Sequence, residues 1–194
     1  LKKCRNEIVA RFDSDDICMP ERFKIQLKVF EQNPEVAIVG SYIKEFNNNP
    51  GDLNQLRKVP LSSSQIQKKK LLYNPFNHMT EAFRKSIISE VGGYLDMPGY
   101  EDYYLWLRIL KKYDVINIGL PLVYARVGNN MIERRQGIKL LRYELRFQTR
   151  LFKDQLIPFQ TFIRNIFLRG IPRIVPVFAL KLIYSKFLRK KYND

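Results

Sequence analysis

Three carboxylates, Asp13, Asp15 and Asp16, stand close together near the start of the sequence. They follow Ile8 to Phe12, a run that is typical of a short strand. Clustered carboxylates repel one another unless a positive charge lies among them. Mg²⁺ and Mn²⁺ prefer such hard oxygen ligands and often take one or two carboxylates together with substrate phosphates. The cluster therefore predicts a divalent-cation site at the carboxyl end of a strand, where ligands of open α/β sheets tend to bind.

Two other interpretations of the acidic cluster are open on the spacing alone. Asp is a good turn and capping residue, so residues 13–16 would also suit an exposed turn before the helix that Pro20 begins. An EF-hand loop fits poorly, because its fifth and sixth positions would be Ile17 and Cys18, where an oxygen ligand and a glycine are needed.

A second acidic pair, Glu101 and Asp102, opens a helix predicted from Gly99 to Leu110. The helix dipole favours acids in a first turn, which is a purely structural account of the pair. A carboxylate held there is also well placed to accept a proton from a substrate hydroxyl. His78, the only histidine of the chain, lies in a polar loop before a strand, and both a structural and a catalytic role are open for it.

The elements that must position these residues alternate along the chain. Residues 20–33 predict an amphipathic helix whose apolar face carries Phe23, Leu27 and Phe30. Residues 36–40 predict a buried strand, and residues 115–118 and 122–126 predict short strands split by Gly119 and Pro121. Residues 62–64 offer an N-cap for a helix over about residues 65–73. Such alternation of strands and helices is typical of an α/β domain.

The expected core residues after Gly99 are Trp106, Leu107 and Leu110. In the last third of the chain, one helix face is predicted to carry Ile138, Leu141, Leu145 and Gln148.

The formal net charge of the 194-residue chain is +15, and most of it lies in the last third. From Arg134 onward, fifteen lysines and arginines stand against Glu144, Asp154 and Asp194, which places +12 of the charge there. A basic tail on a near-neutral domain suggests an anionic partner, either a membrane surface or a nucleic acid. Its mixture of apolar and basic residues is typical of a helix in a membrane interface. Helices packed on the catalytic domain, with a solvated basic face, would look similar.

The cysteines, the apolar runs and the start of the chain give three further expectations. Cys4 and Cys18 match no metal or redox spacing, which predicts reduced thiols in a cytosolic protein. No run of about 18 apolar residues predicts a membrane-spanning helix. The chain begins with Leu1 and a strand arrives early, so we expect it to be the downstream piece of something longer.

Taken in order, the motifs resemble the family 2 glycosyltransferases of the GT-A fold. The likeness is greatest to bacterial enzymes that build capsule, exopolysaccharide or O-antigen chains, of the amylovoran-biosynthesis type. It covers about residues 8–126 and rests on residues 13–16, Arg22, Gln26, 39–41, 77–80, 83–86, 92–94 and 101–108.

The resemblance implies an α/β, GT-A (Rossmann-like) nucleotide-diphospho-sugar transferase fold that lacks its first strands, with a basic helical C-terminal extension. Residues 1–130 would be the C-terminal portion of the catalytic domain. From their own charge pattern and not from the resemblance, residues 131–194 are expected to be a basic amphipathic helical tail, for which membrane contact and packing on the catalytic domain are both open. Because the nucleotide-binding half of such a fold precedes the first acidic motif, we expect this chain alone to be inactive or very weak.

The resemblance also implies roles for single residues. Asp13, Ser14 and Asp15 match the DxD motif that binds the nucleotide sugar, with Asp13 on the ribose and Asp15 on Mn²⁺ or Mg²⁺. Asp16 would support the loop or cap the next helix. Of the second pair, Asp102 is the expected general base, ahead of Glu101. The chemistry would be an inverting transfer, in which the acceptor hydroxyl attacks the anomeric carbon opposite the leaving nucleoside diphosphate.

On the acceptor side the resemblance implies Asn77 and His78. The implied partners are a nucleotide-diphospho-sugar donor, a saccharide or lipid-linked acceptor and an anionic membrane surface. The expected location is cytoplasmic, peripheral to the inner face of the cytoplasmic membrane.

Two functions of other classes compete with this one. The chain would instead be a non-catalytic fragment that docks on a partner, or a basic module that binds nucleic acid or membrane. The sequence contains no helix-turn-helix, zinc or RNP pattern, so nucleic acid is not an expected partner.

Overall fold

The computed structural model of the protein describes residues 1, 3–127 and 137–175. The chain divides into two compact units, Leu1–Asn129 and Asn130–Asp194. The first unit is built on a mixed sheet covered by helices, and the described part of the second is helical.

Six strands form one sheet in the described part of the first unit. They are Ile8–Ala10 (β1), Ile17–Cys18 (β2), Val36–Phe46 (β3), Gln55–Arg57 (β4), Ala82–Arg84 (β5) and Asp114–Arg126 (β6). Their order is β1-β5-β3-β6-β2, with β4 paired beside β3. The long strands β3 and β6 run parallel and the other pairs are antiparallel. Two short strands were predicted around Gly119 and Pro121, but β6 continues through both and takes up the irregularity as register shifts against β3.

Helices alternate with the strands along the chain and pack against the sheet. In the first unit they span Arg22–Gln32 (α1), Ser63–Lys69 (α2), Lys85–Glu90 (α3) and Glu101–Ile109 (α4), and a 3-10 turn at His78–Thr80 leads into β5. In the second unit they span Ile138–Lys153 (α5), Phe159–Asn165 (α6) and Ile171–Ile174 (α7), with a π-helical stretch at Ile166–Gly170. The α/β alternation expected from the sequence is confirmed.

The buried face of α1 differs from the apolar face that the sequence predicts. Phe30 is buried as expected, but Phe23 and Leu27 are 48% and 45% exposed. The buried positions are Arg22 and Gln26 instead. The prediction was wrong because it scored apolar spacing alone, whereas this face of α1 meets backbone groups that need hydrogen-bond donors.

Arg22 and Gln26 hold the strand ends together. Nη2 of Arg22 donates to the carbonyl of Arg11, at 2.8 Å. Nε2 of Gln26 donates to the carbonyls of Val39 and Thr80, at 2.8 and 2.7 Å. Buried carbonyls left without donors are costly, so these two polar side chains fix the segments that follow β1 and precede β5.

The main core packs around α4. Trp106 is fully buried, and its ring lies 5.8 Å from that of Phe76 and 6.3 Å from that of Phe83. Leu107 and Leu110 are also buried, so the predicted core residues of this helix are confirmed. This packing places the amino end of α4 beside the turn that carries His78, since that ring lies 6.1 Å from Trp106.

In the second unit, α5 buries Glu144, Phe147, Gln148 and Leu151. The sequence predicted a face containing Ile138 and Leu145 as well, but both are exposed. The prediction failed because it counted apolar residues alone, whereas the buried face of α5 includes the charged side chain of Glu144.

Glu144 binds two cations within the second unit. Its carboxylate lies 2.9 Å from Nε of Arg169 and 3.4 Å from Nη2 of Arg173. No helix in the described ranges is long and apolar enough to span a bilayer. Residues 176–194, which carry much of the predicted membrane-interface pattern, and residues 131–136 at the start of the predicted tail lie outside the described residues.

Candidate functional site

The predicted DxD residues lie on a tight turn directly after β1. The amide of Asp16 donates to the carbonyl of Asp13, at 3.2 Å. Both carboxylate oxygens of Asp13 bind the guanidinium of Arg11, at 2.5 and 2.7 Å. Ser14 and Asp15 are exposed at the tip of the turn. The turn thus presents Ser14 and Asp15 outward while Asp13 is fixed at its base.

Arg126, the last residue of β6, ties this turn to the sheet. Its amide donates to Oδ1 of Asp16, at 2.8 Å, and its Nε donates to the carbonyl of Asp15, at 3.2 Å. Its guanidinium lies 4.5 Å from the centre of the Phe46 ring. The sequence allowed Asp16 either to support the loop or to cap α1. The structure shows loop support, because Glu21 is the N-cap of α1.

The oxygen atoms of this turn suit a divalent cation. The carboxylate of Asp15 has no partner among the described residues, and Oδ2 of Asp16 is buried without a hydrogen bond. Burial raises the pKa of Asp16, even though the Arg126 amide opposes this. No three His, Cys, Asp or Glu side chains within residues 1, 3–127 and 137–175 form a complete metal-binding group. The donor set therefore fits a cation held by one or two carboxylates and completed by substrate oxygens.

A second polar cluster surrounds Asp102 in the first turn of α4. Its Oδ2 accepts a hydrogen bond from Nδ2 of Asn74, at 2.8 Å, and lies 3.7 Å from Nδ1 of His78. Glu101, the other predicted acid, is exposed. Of the acidic pair, only Asp102 joins this cluster.

His78 bridges Asp102 to a buried glutamate. Its Nδ1 lies 2.9 Å from Oε2 of Glu81, a residue with no exposed surface. Burial raises the pKa of Glu81 to about 7. Burial alone would lower the pKa of His78, but the hydrogen bond and charge of Glu81 and the charge of Asp102 reverse this and raise it.

Aromatic rings enclose the imidazole. The Tyr94 ring lies 6.3 Å from His78 and 6.3 Å from Trp106. Burial raises the pKa of Tyr94, and the charges of Glu81 and Asp102 add to the effect. The side chains of His78, Glu81 and Asp102 are therefore partly shielded from water, which strengthens the interactions between their charges.

Asn77, the other predicted acceptor-side residue, is placed differently from His78. It is buried, and its Nδ2 donates to the carbonyl of Ser41, at 2.9 Å. The His78 side chain is 26% exposed. An acceptor-side role for either residue stays a prediction, but only His78 offers exposed surface at this turn.

Arg11 lies between the two clusters. Its guanidinium binds Asp13, and its amide donates to the carbonyl of Glu81 at 2.8 Å. Its positive charge opposes the rise in the pKa of His78 and of Glu81 without reversing it. The two carboxylate groups therefore lie near each other at the end of the sheet where β1 finishes and β5 begins.

Sequence reasoning missed Arg11, Asn74 and Glu81. The one signal for Glu81 is its charge within a strand-like run, three residues after the only histidine. A separate cavity of about 410 Å³ is lined by Glu35, Ser63, Asp114 and neighbouring residues, and it contains none of the predicted site residues.

This arrangement defines the class of protein. The fold is that of the GT-A glycosyltransferases. The structure matches a mannosyltransferase from Pyrobaculum calidifontis in complex with GDP-Man and Mn²⁺, with a TM-score of 0.55 and 16% identity, over 97% of this chain and 58% of that one. It also matches Staphylococcus aureus TarS, with a TM-score of 0.55 and 14% identity, over 98% of this chain and 52% of that one.

Sequence comparison identifies the family within that class. The family model "Glycosyl transferase family 2" matches residues 1–92. An uncharacterized glycosyltransferase of Haemophilus influenzae is 41% identical, over 98% of this chain and 71% of that protein. The amylovoran biosynthesis glycosyltransferase AmsE of Erwinia amylovora is 36% identical, over 96% of this chain and 70% of that protein. The chain belongs to glycosyl transferase family 2.

A third relative carries a more specific name. It is the UDP-Gal:alpha-D-GlcNAc-diphosphoundecaprenol beta-1,3-galactosyltransferase of Escherichia coli, which is 38% identical over 98% of this chain and 69% of that protein. The chain thus spans about seven tenths of these curated relatives and little more than half of the two solved chains.

Proposed function

We propose that this chain carries the acceptor-activating part of an inverting glycosyltransferase. The enzyme would move a sugar from a nucleotide-diphospho-sugar to a hydroxyl of a growing surface polysaccharide or a lipid-linked oligosaccharide. The observation that carries the proposal is the anchoring of Asp102, whose Oδ2 faces Asn74 and His78. Two relatives named for amylovoran synthesis and for a diphosphoundecaprenol acceptor support the substrate class.

In the proposed reaction Asp102 accepts the proton of the acceptor hydroxyl through Oδ1, which makes no hydrogen bond within the described residues. The hydroxyl oxygen forms a bond to the anomeric carbon, and the bond from that carbon to the phosphate oxygen breaks. Its electron pair leaves with the nucleoside diphosphate. General-base assistance of this kind contributes about 10²- to 10⁴-fold to rates.

The DxD turn would hold the donor. Asp15 would ligate Mn²⁺ or Mg²⁺, which neutralises the departing diphosphate when bound. Asp13 would meet the ribose, since a carboxylate can accept further hydrogen bonds beside those from Arg11. Ser14 is exposed next to both. The ion pair with Arg11 would keep the carboxylate of Asp13 oriented for that contact.

We predict that Asp15→Ala weakens the binding of UDP or GDP in the presence of Mn²⁺ by about tenfold or more, each tenfold being about 1.4 kcal/mol. The physical reason is the loss of the exposed carboxylate from the metal's ligand set. Calorimetric titration on the product of the complete reading frame measures it.

EDTA should remove the difference between this variant and the wild type. Glu31→Ala, which removes an exposed acid from α1, should bind like the wild type. Equal nucleotide affinity of wild type and Asp15→Ala in Mn²⁺ would rule out the donor role of the turn.

We further propose that the second unit contacts an anionic membrane, which would place the enzyme at the inner face of the cytoplasmic membrane. Residues 137–175 contain eight lysines and arginines and two acids. Of the acids, Glu144 binds Arg169 and Arg173, and Asp154 binds Arg150. The exposed large apolar side chains of this unit are Ile138, Leu145, Phe152, Phe159, Ile163, Phe167, Leu168, Ile171 and Ile174.

Exposed apolar side chains interspersed with a surplus of basic residues suit a lipid interface better than water. Phe159 and Phe167 are 59% and 58% exposed. Phe159 also lies 5.9 Å, ring to ring, from Phe152, which stacks on Phe162. A nucleic acid would use the same cations but not this apolar surface.

Vesicle flotation tests the membrane proposal. We expect the protein to bind vesicles that contain anionic lipid and not neutral vesicles, because each basic residue near such a surface contributes about 1 kcal/mol. Phe159→Ser with Phe167→Ser should weaken that binding. Leu56→Ser, at an apolar position of β4 that is 44% exposed, should not. Equal binding of neutral vesicles, or no loss in the double variant, would contradict the proposal.

A further inference from the structure

The buried pair Glu81 and His78 is not explained by the proposed function. A glutamate without exposed surface is rare unless it is paired, and here Oε1 has no hydrogen-bond partner while Oε2 faces His78 Nδ1 at 2.9 Å. An imidazole alone at this turn would need no buried anion. Burying the Glu81 carboxylate beside this ring is therefore unfavourable in free energy by itself.

The pair bears directly on Asp102. Nδ1 of His78 lies 2.9 Å from Oε2 of Glu81 and 3.7 Å from Oδ2 of Asp102, so one ring nitrogen faces both carboxylates. Nδ2 of Asn74, in the loop that follows α2, donates a hydrogen bond to the same Oδ2 of Asp102. Oδ2 therefore accepts one hydrogen bond and lies within ion-pair distance of a protonated His78, and Oδ1 is the oxygen left for a substrate.

We propose that Glu81 is a positioning residue for the general base Asp102, acting through His78. This inference rests on the proposed function. The buried carboxylate favours the protonated imidazole of His78, and the positive charge of that ring, whose Nδ1 lies 3.7 Å from Asp102 Oδ2, attracts this oxygen. An orienting group behind a base is a common arrangement in catalysis. Glu81 itself touches neither donor nor acceptor.

Charges from every packed element act on this pair. Asp102 comes from α4, Arg11 from the segment after β1, Tyr94 from the loop after α3 and Arg22 from α1. Glu81 and Asp102 favour the protonated imidazole, and Arg11 opposes it. When the proton is lost, two carboxylates face each other across a neutral ring, so the orientation of Asp102 relaxes and the rate falls.

The first test is an NMR titration of the histidine-labelled product of the complete reading frame. The signal of His78 is identified as the imidazole signal that disappears in His78→Gln. In the wild type we expect its pKa to lie above the ordinary 6.5. In Glu81→Gln the charge that raises it is gone while burial, which lowers it, persists, so the pKa falls.

The same variant is assayed for transfer as the product of the complete reading frame. We expect kcat to fall by up to about 10²-fold, the cost of misplacing a reacting group by about 1 Å, with the KM for the donor unchanged. The alkaline limb of the kcat profile should move to lower pH by as much as the His78 titration moves. A merely structural role for Glu81 would not link these two shifts.

Two further variants separate the effects. Asn74→Ala removes the hydrogen bond to Asp102 Oδ2 but leaves the charge of His78 in place, so it should lower kcat without moving the alkaline limb or the His78 titration. Glu7→Gln removes an exposed carboxylate beside Ser86 and should change neither.

An unmoved His78 titration in Glu81→Gln overturns the inference, and so does a moved titration with an unmoved kcat profile. The titration needs no turnover. Full activity of Asp102→Asn would instead overturn the proposed function, so the two failures are distinguishable.

Discussion

Asp102→Asn should lower kcat of the transferase by about 10²- to 10⁴-fold, the range that a positioned general base contributes. Asparagine keeps the shape of the side chain and one oxygen to accept from Asn74, but it cannot take a proton. The KM for the donor should change little, because Asp102 belongs to the cluster around His78 and not to the DxD turn. Steady-state kinetics on the product of the complete reading frame measures both constants.

Glu101→Gln is the matched comparison. It makes the same chemical change one residue earlier, at an exposed position of the same helical turn. We expect a far smaller loss of kcat. Equal losses in the two variants would mean that their common effect is on the helix terminus and its dipole. In that case the assignment of the base to Asp102 would be wrong.

Gly40→Ala should destabilise the protein by about 1–3 kcal/mol, the usual cost of overpacking a core. Gly40 and Asn117 are neighbours in the parallel pairing of β3 with β6. A Cβ at Gly40 would lie 2.2 Å from Oδ1 of Asn117 and 3.2 Å from the Phe76 ring. The amide cannot swing away freely, because its Nδ2 donates to the carbonyls of Pro60 and Pro75, at 2.7 and 3.0 Å. Denaturant unfolding followed by circular dichroism measures the loss.

A double-mutant cycle identifies the cause. Asn117→Ala removes the obstructing oxygen, so Gly40→Ala should cost clearly less in that background, by about 0.5–3 kcal/mol for groups in contact. Gly119→Ala is the control on β6, the strand of Asn117, since its Cβ would meet only the flexible tip of Leu61 at 3.3 Å. Additive costs for Gly40→Ala and Asn117→Ala would show that the close approach is not the source of the instability.

Much of the fold could be predicted from local sequence signals. Ser62 was expected to cap a helix, and its side chain accepts the amide of Gln65 at the start of α2. Trp106 was expected in the core and is fully buried. These features depend on a few neighbouring residues, whose spacing is visible in the sequence.

Other features depend on pairings between distant segments. The sequence gives no sign that Arg22 is buried, because its partner is the carbonyl of Arg11 on another element. The same holds for Glu81, whose environment is made by α4 and by the segment after β1. Buried polar residues follow hydrogen-bond needs that arise only when the strands pair. The candidate acids could therefore be predicted, but the groups that hold them could not.

We propose that the DxD turn (residues 13–16) and Asp102 act on opposite ends of one sugar transfer, the turn on the donor diphosphate and Asp102 on the acceptor hydroxyl. The most direct measurement is nucleoside diphosphate release from UDP-, GDP- and dTDP-sugars with a saccharide or lipid-linked acceptor, in Mn²⁺ or in EDTA, on the product of the complete reading frame. We predict release from one donor class that requires metal and is lost in both Asp15→Ala and Asp102→Asn. Metal-independent release, or release that persists in either folded variant, would contradict the account.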